Sequence, residues 1–144
     1  MNLDIIEELK KEHLDIEREL IELEEIIKSD IINYSNLVHT MKKIYLVWDM
    51  HEKKEEILFL FLEEWSNGLT IPVERMMFEH KELKPHKEAI NNAINSGNDE
   101  EVKKALEENG RFIIIKLQEH IDFEDEILYR VELPELSDED LNNL

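Results

Sequence analysis

The 144-residue sequence contains no cysteine. Disulfide cross-links, thiolate catalysis, zinc fingers and cysteine-held iron–sulfur clusters are thereby excluded. Glycine and proline are scarce, three of each, so the chain has few places to turn and its elements must be long. Basic residues are outnumbered, 17 Lys and Arg against 36 Asp and Glu, for a formal net charge of -19. Nucleic acids and anionic membrane surfaces call for basic patches, so neither is an expected partner. No apolar run approaches the length that spans a bilayer. The start, Met1-Asn2-Leu3-Asp4, lacks the basic-then-apolar pattern of a signal peptide. The expectation is a soluble, cytoplasmic protein.

What is present is rich in Leu, Ile, Glu and Lys, with 42% hydrophobic and 37% charged residues. That mixture suits one folded, helical domain rather than a disordered chain, and two-residue alternation is rare. The excess of acid fits a solvated, self-repelling surface. A sharper reading is attraction of cations, which would need local ligands to become specific.

Apolar residues recur in steps of three and four along four segments, which predicts four helices. The first runs from about Leu3 to Lys28, with a stripe of Ile6, Leu9, His13, Ile16, Leu20, Leu23 and Ile27. Ser29-Asp30 and the stretch from Asn33 to Asn36 connect it to the second, with Ser35 or Asn36 as the expected cap. The second helix, from Leu37 to near Ser66, carries Leu37, Met41, Ile44, Trp48, His51, Glu55, Leu58 and Leu62. Pro72 suits the first turn of the third, which carries Val73, Met76, His80, Leu83, Ile90 and Ile94 and should kink at Pro85. Ser96-Gly97-Asn98-Asp99 leads into the fourth, with Val102, Leu106, Gly110, Ile113, Leu117, His120, Glu124, Ile127 and Val131, stopped by Pro134. The expected architecture is all-α, four helices over residues 1–132 followed by an acidic tail at 133–144.

Two of the second helix's core places hold an imidazole and a carboxylate, His51 and Glu55, one turn apart on the buried face. An uncompensated buried Glu costs several kcal/mol, comparable to the whole net stability of a domain. His120 and Glu124 repeat the pairing in the fourth helix, and His13 and His80 take core places in the first and third. His13 lies about 15 residues before the first connection and His51 about 15 after it, so antiparallel packing brings them level. His80 fits this arithmetic less well. No Lys or Arg occupies a stripe position to compensate the acids. The candidate metal ligands are therefore His13, His51, Glu55, His80, His120 and Glu124.

Imidazoles and carboxylates without sulfur suit iron, manganese or zinc. Glu55 and Glu124 meet on the bundle axis, where each can bridge two ions. Two divalent cations bring four positive charges against two negative ones, which invites an oxo or hydroxo bridge or another small anion. Open coordination positions would admit dioxygen, peroxide, nitric oxide, azide or water. A metal-free hydrogen-bonded network is the competing reading. Off the stripes, His39 is expected to be solvated, and His86 points about 120° away from His80 on a regular helix. Glu17 is a candidate acceptor for an imidazole N–H, Asp125 is less well placed than Glu124, and Trp48 and Met77 read as packing.

The order His13, His51-x-x-x-Glu55, His80, His120-x-x-x-Glu124 resembles the hemerythrin-like, or HHE cation-binding, family over nearly the whole chain. His51-Glu52-Lys53-Lys54-Glu55-Glu56-Ile57-Leu58-Phe59 is similar to its H-x-x-x-E-E-x-L-F signature, and Glu79-His80 to its third-helix EH. The resemblance implies an up-down-up-down antiparallel four-helix bundle around a non-haem di-iron centre. Oxygen-carrying hemerythrins have a second His where this chain has Lys84, and end on H-x-x-x-x-D, which would select Asp125. Four His and two Glu are closer to the iron-centre repair proteins and hemerythrin-like iron sensors. The repair proteins also carry a Cys-bearing amino-terminal segment, and cysteine is absent here. The implied function is binding, sensing or reduction of dioxygen, peroxide or nitric oxide. A redox partner protein, and a hydrogen bond from Lys84 to a bound anion, are further expectations. The alternative is an iron store or metal sensor without catalysis.

Overall fold

Steps of three and four give each helix one apolar face, and in the structure, a computed structural model, those faces pack against one another. It describes residues 4–65 and 81–131, with side chains placed at 6–58 and 81–126. The described elements are α1 (Asp4–Lys28), α2 (Tyr34–Trp65), α3 (Lys84–Ser96), α4 (Asp99–Ala105), a π-helical turn (Leu106–Gly110) and α5 (Arg111–Val131). No strand occurs among the described residues. The last three follow one another without a break in helical dihedrals, so they make one long fourth rod with α1, α2 and α3 as the others. The protein is an all-α four-helix bundle.

Side-chain pairings fix the directions. Asn36 meets Glu22, Lys43 meets Glu19, His51 meets His13 and Lys54 meets Glu12, so α2 runs antiparallel to α1. Gly110 lies against Ile27, Gln118 meets Glu17 and Glu124 meets His13, so the fourth rod also runs antiparallel to α1. Ile16, Leu20, Leu23, Leu37, Ile44, Ile90, Val102, Leu106, Ile113 and Leu117 fill one half of the core. Ile6, Leu9 and Leu58 are buried beyond the level of His13 and His51. The polar residues of the stripes thus lie between two apolar layers.

Helix ends follow local chemistry. Asn33 opens α2: its Oδ1 accepts from the Asn36 N–H at 3.1 Å and its carbonyl from the Leu37 N–H at 2.9 Å. Ser35 and Asn36, the expected caps, instead lie inside the first turn, because α2 begins earlier than the apolar stripe does. Gly97 ends α3 with φ 70°, a left-handed conformation that glycine adopts without steric cost. Asn98 then caps α4 by accepting from the Glu100 and Glu101 N–H groups.

Three further expectations change. At the end of α1, Ile26 is buried and Ile27 only partly so. Ile27 still packs inward, because Gly110 opposite has no side chain: a Cβ there would sit 3.1 Å from Ile27 Cδ1. The kink expected at Pro85 is a helix restart: Lys81 and Glu82 are helical, Leu83 is in a turn, and Pro85 sits in the first turn of α3. Proline has no N–H to give to a helix interior, but loses nothing in a first turn. The π-helical turn, closed by a bond from the Arg111 N–H to the Leu106 carbonyl, had no counterpart in the expected pattern. Pro72, Val73, Met76, Met77, His80 and the acidic tail lie outside the described residues, as do the side chains of Leu62, Ile127 and Val131.

Because Asn98 satisfies two otherwise unpaired N–H groups, Asn98→Ala should cost about 1 kcal/mol. The expected readout is a lower urea midpoint with an unchanged slope. An unchanged midpoint would show that the cap is not a significant source of stability.

Candidate metal centre

Helices α1, α2 and α5 place their polar stripe residues at one level of the bundle. His13 comes from α1, His51 and Glu55 from α2, and His120 and Glu124 from α5, and all five are buried. Nε2 of His13 and Nε2 of His51 are 3.0 Å apart, and Oε1 of Glu124 lies 2.8 Å from the first and 2.9 Å from the second. On the other side, Oε2 of Glu124 touches Nε2 of His120, without a conventional hydrogen-bond geometry. Glu55 also spans the site, with Oε1 against Nε2 of His51 and Oε2 3.5 Å from Nε2 of His120. The donor atoms form two groups: His13, His51 and Glu124, and Glu55, His120 and Glu124. Glu124 belongs to both. The sixth candidate, His80, lies outside the described residues.

A second ring of carboxylates holds the imidazoles from behind. Nδ1–H of His13 donates to Oδ1 of Asp125 at 2.6 Å, and Nδ1–H of His51 to Oε1 of Glu12 at 3.0 Å. Lys54 anchors Glu12 in turn, with Nζ 2.6 Å from its Oε2. These partners fix both ring orientations and turn each Nε2 toward the centre. With Nδ1 protonated, a neutral imidazole presents only a lone pair at Nε2, so three lone pairs face one another across about 3 Å. Something positive must sit among them. Two donors at right angles around one ion, each bound at about 2.1 Å, are themselves about 3.0 Å apart. The observed spacings of 2.8, 2.9 and 3.0 Å fit that geometry.

Protons take the place of an ion when metal is absent. Burial pulls the His51 imidazole down, but hydrogen bonds to Glu12, Glu124 and Glu55 outweigh it and push its pKa up to about 11. For His13, burial is likewise overcome, by Asp125 and Glu124, and the result is a raised pKa. Burial pushes the Glu124 carboxyl up, yet hydrogen bonding with Glu55 and the imidazoles of His120 and His13 hold it well below the usual carboxylate range. Glu12 is also lowered, since His51 and Lys54 outweigh its burial.

Sequence reasoning missed Glu12, Lys54 and the supporting role of Asp125. The expected acceptor, Glu17, meets Gln118 rather than an imidazole. Asp125 is exposed at its outer edge and supports His13, while Glu124 faces the centre. His39 is exposed, and His86 stacks on Phe112 at 3.8 Å and bonds to Asn109, away from the cluster. Lys84 is exposed. Trp48 is buried against two of the imidazoles, at ring distances of 6.0 Å from His51 and 5.1 Å from His120.

Two outcomes follow for metal binding. Losing the carboxylate behind His51 in Glu12→Ala should weaken metal retention about 10- to 100-fold in competition with a chelator. Glu17→Ala should leave it unchanged, and equal affinities in the two variants would contradict the supporting role of Glu12. Metal loading at pH 7 should also release protons from His51 and His13, seen as acidification of a lightly buffered solution. In the metal-free protein, the raised pKa of His51 contributes stability that is full below 6.5 and is lost as pH rises toward about 11. The lowered pKa of Glu124 contributes stability present above 4.5 and lost on acidification. Metal-free unfolding midpoints should therefore fall on both flanks. A midpoint still rising between pH 8 and 10 would contradict the assignment.

No described helix is long and apolar enough to cross a membrane. No curated protein and no solved structure matches the chain. Residues 4–131, however, match the family described as the hemerythrin HHE cation binding domain. A buried His and Glu cluster drawn from three rods is what a domain of that description needs to hold a cation. By that match over nearly its whole length, the chain belongs to the hemerythrin HHE cation-binding family.

Proposed function

We propose that the protein holds two iron ions and binds or reduces a small oxidant, such as dioxygen, peroxide or nitric oxide. The observation that carries this reading is the sharing of Glu124 between two buried donor groups. One ion would take His13, His51 and Glu124, and the other His120, Glu55 and Glu124, with His80 as a further ligand from the third helix. Neither set offers the five or six donors that iron favours, so each ion keeps room for an exogenous ligand. Iron supplies the exchange of electrons with the oxidant.

The chain's own residues supply the rest. Glu12 and Asp125 keep Nε2 of His51 and His13 facing inward. Leu9 and Leu58 on one side and Ile16, Trp48 and Leu117 on the other keep bulk water from the site. Low polarity around the centre strengthens every electrostatic contact within it. The alternative is an iron store or sensor without catalysis. A fold that forms only around metal would lose most of its helicity when metal is removed, and a metal-free bundle that keeps its helicity would count against it.

The test begins with iron content and the absorption spectrum of the purified protein, before and after azide. His51→Ala should lose most of the iron. The reduced protein is then mixed with dioxygen, peroxide and nitric oxide in a stopped-flow instrument. A spectral change with at least one of them is expected, and inertness toward all three would overturn the proposal.

A further inference from the structure

The rods of the bundle do not close evenly. Between α2 and α3 lie two adjoining clefts, of about 400 and about 340 Å³, which share Tyr45, Asp49 and Lys87 in their walls. The smaller cleft is bounded by Lys84 and Glu88 of α3, both exposed, and it reaches Trp48 of α2. Trp48 is only 2% exposed, so it forms the floor rather than the wall. Its indole lies nearly parallel to the ring of His51 and edge-on to that of His120. Those two imidazoles belong to different donor groups. Among the described residues, Trp48 is thus a side chain that lines the cleft and lies against both halves of the buried centre.

We infer that Trp48 is the gate through which small molecules pass between the α2–α3 groove and the metal centre. The inference rests on the reading of that centre as one that takes up an exogenous molecule. The cleft is far larger than a diatomic molecule or an azide ion, so resistance to passage lies in its floor. Residues in the centre are too deeply buried for a molecule to reach them without some side chain moving. At the groove, the described side chain between the cleft and the two imidazoles is the Trp48 indole. Lys87 stands over the Tyr45 ring, its Nζ 4.4 Å from the centroid, and Lys84 and Lys87 share the walls of the smaller cleft with Asp49, Glu52 and Glu88, so the groove carries charge of both signs. Trp48 is in this sense an access-controlling residue and takes no part in the chemistry.

Two variants test the gate from opposite sides. Trp48→Phe keeps an aromatic ring on the histidines but shortens the barrier, while Glu88→Phe adds bulk at an exposed position on the cleft wall. Azide binding to the oxidised iron protein is followed by stopped-flow absorbance. Trp48→Phe should raise the association and dissociation rates together by about tenfold, and Glu88→Phe should lower both, with Kd held within about twofold in each. A purely structural role would move Kd or iron content instead of moving the two rates in proportion. Unchanged rates in both variants, or a shifted Kd with an unchanged association rate, would overturn the gate.

A second readout needs no ligand at the metal. In a Trp65→Phe background Trp48 is the one remaining tryptophan. Acrylamide quenching of its fluorescence is measured in the zinc-loaded protein, where no iron absorbs. Glu88→Phe should lower the quenching constant severalfold if the groove leads to the indole, and an unchanged constant would overturn the route. If the unsubstituted iron protein binds no azide and reacts with no oxidant, the proposed function fails. The quenching result then still decides whether the groove opens onto Trp48.

Discussion

Three donor atoms with inward-facing lone pairs cannot share a space 3 Å across unless a cation joins them. Nε2 of His13, Nε2 of His51 and Oε1 of Glu124 are in that position, and the rest of the bundle is arranged to keep them there. Their helices meet at one level because α1 and α2 are joined by a short connection and the fourth rod returns alongside α1. Behind the two imidazoles, Glu12 and Asp125 accept the outer N–H groups and remove the option of turning the rings round. Whether the compensating charge is carried by protons or by metal then becomes a competition, and the electrostatics of the site connect metal loading to pH.

The apolar layers on either side give that competition its energy scale. Ile6, Leu9 and Leu58 lie on one side of the polar level, and a larger cluster that includes Ile16, Ile44, Leu106 and Leu117 on the other. Burial in such surroundings raises the cost of leaving any of the five groups unpaired. It also makes the fold tolerant of a polar layer, since the hydrophobic contacts that hold the rods together are made elsewhere. The π-helical turn belongs to this division of labour: it lies in the apolar half, where Gly110 lets the fourth rod approach Ile27.

Much of this was legible from spacing. Steps of three and four placed His13, His51, Glu55, His120 and Glu124 on inward faces, and equal distances from the first connection set His13 level with His51. Those are properties of a single helix or of one hairpin, which a linear pattern records directly. Glu12 and Asp125 were not legible, because each neighbours a stripe residue and looks like surface until the partner helix is in place. Glu12 serves an imidazole 39 positions away and Asp125 one 112 positions away. A helical wheel shows that Glu12 lies beside the buried face but not which ring it meets. The restart at Leu83 and the cap at Asn33 were missed for a related reason, since apolar periodicity marks where a helix is buried rather than where its hydrogen bonds begin.

On the proposed function, the converging imidazoles and carboxylates hold a pair of iron ions, and anomalous X-ray diffraction at the iron edge, from crystals grown with iron, decides whether they do. Two strong peaks are expected in the bundle core, one within reach of His13, His51 and Glu124, the other within reach of His120, Glu55 and Glu124, with the Glu124 carboxylate between them. A core without anomalous density, its histidines bonded only to water and to one another, would contradict it.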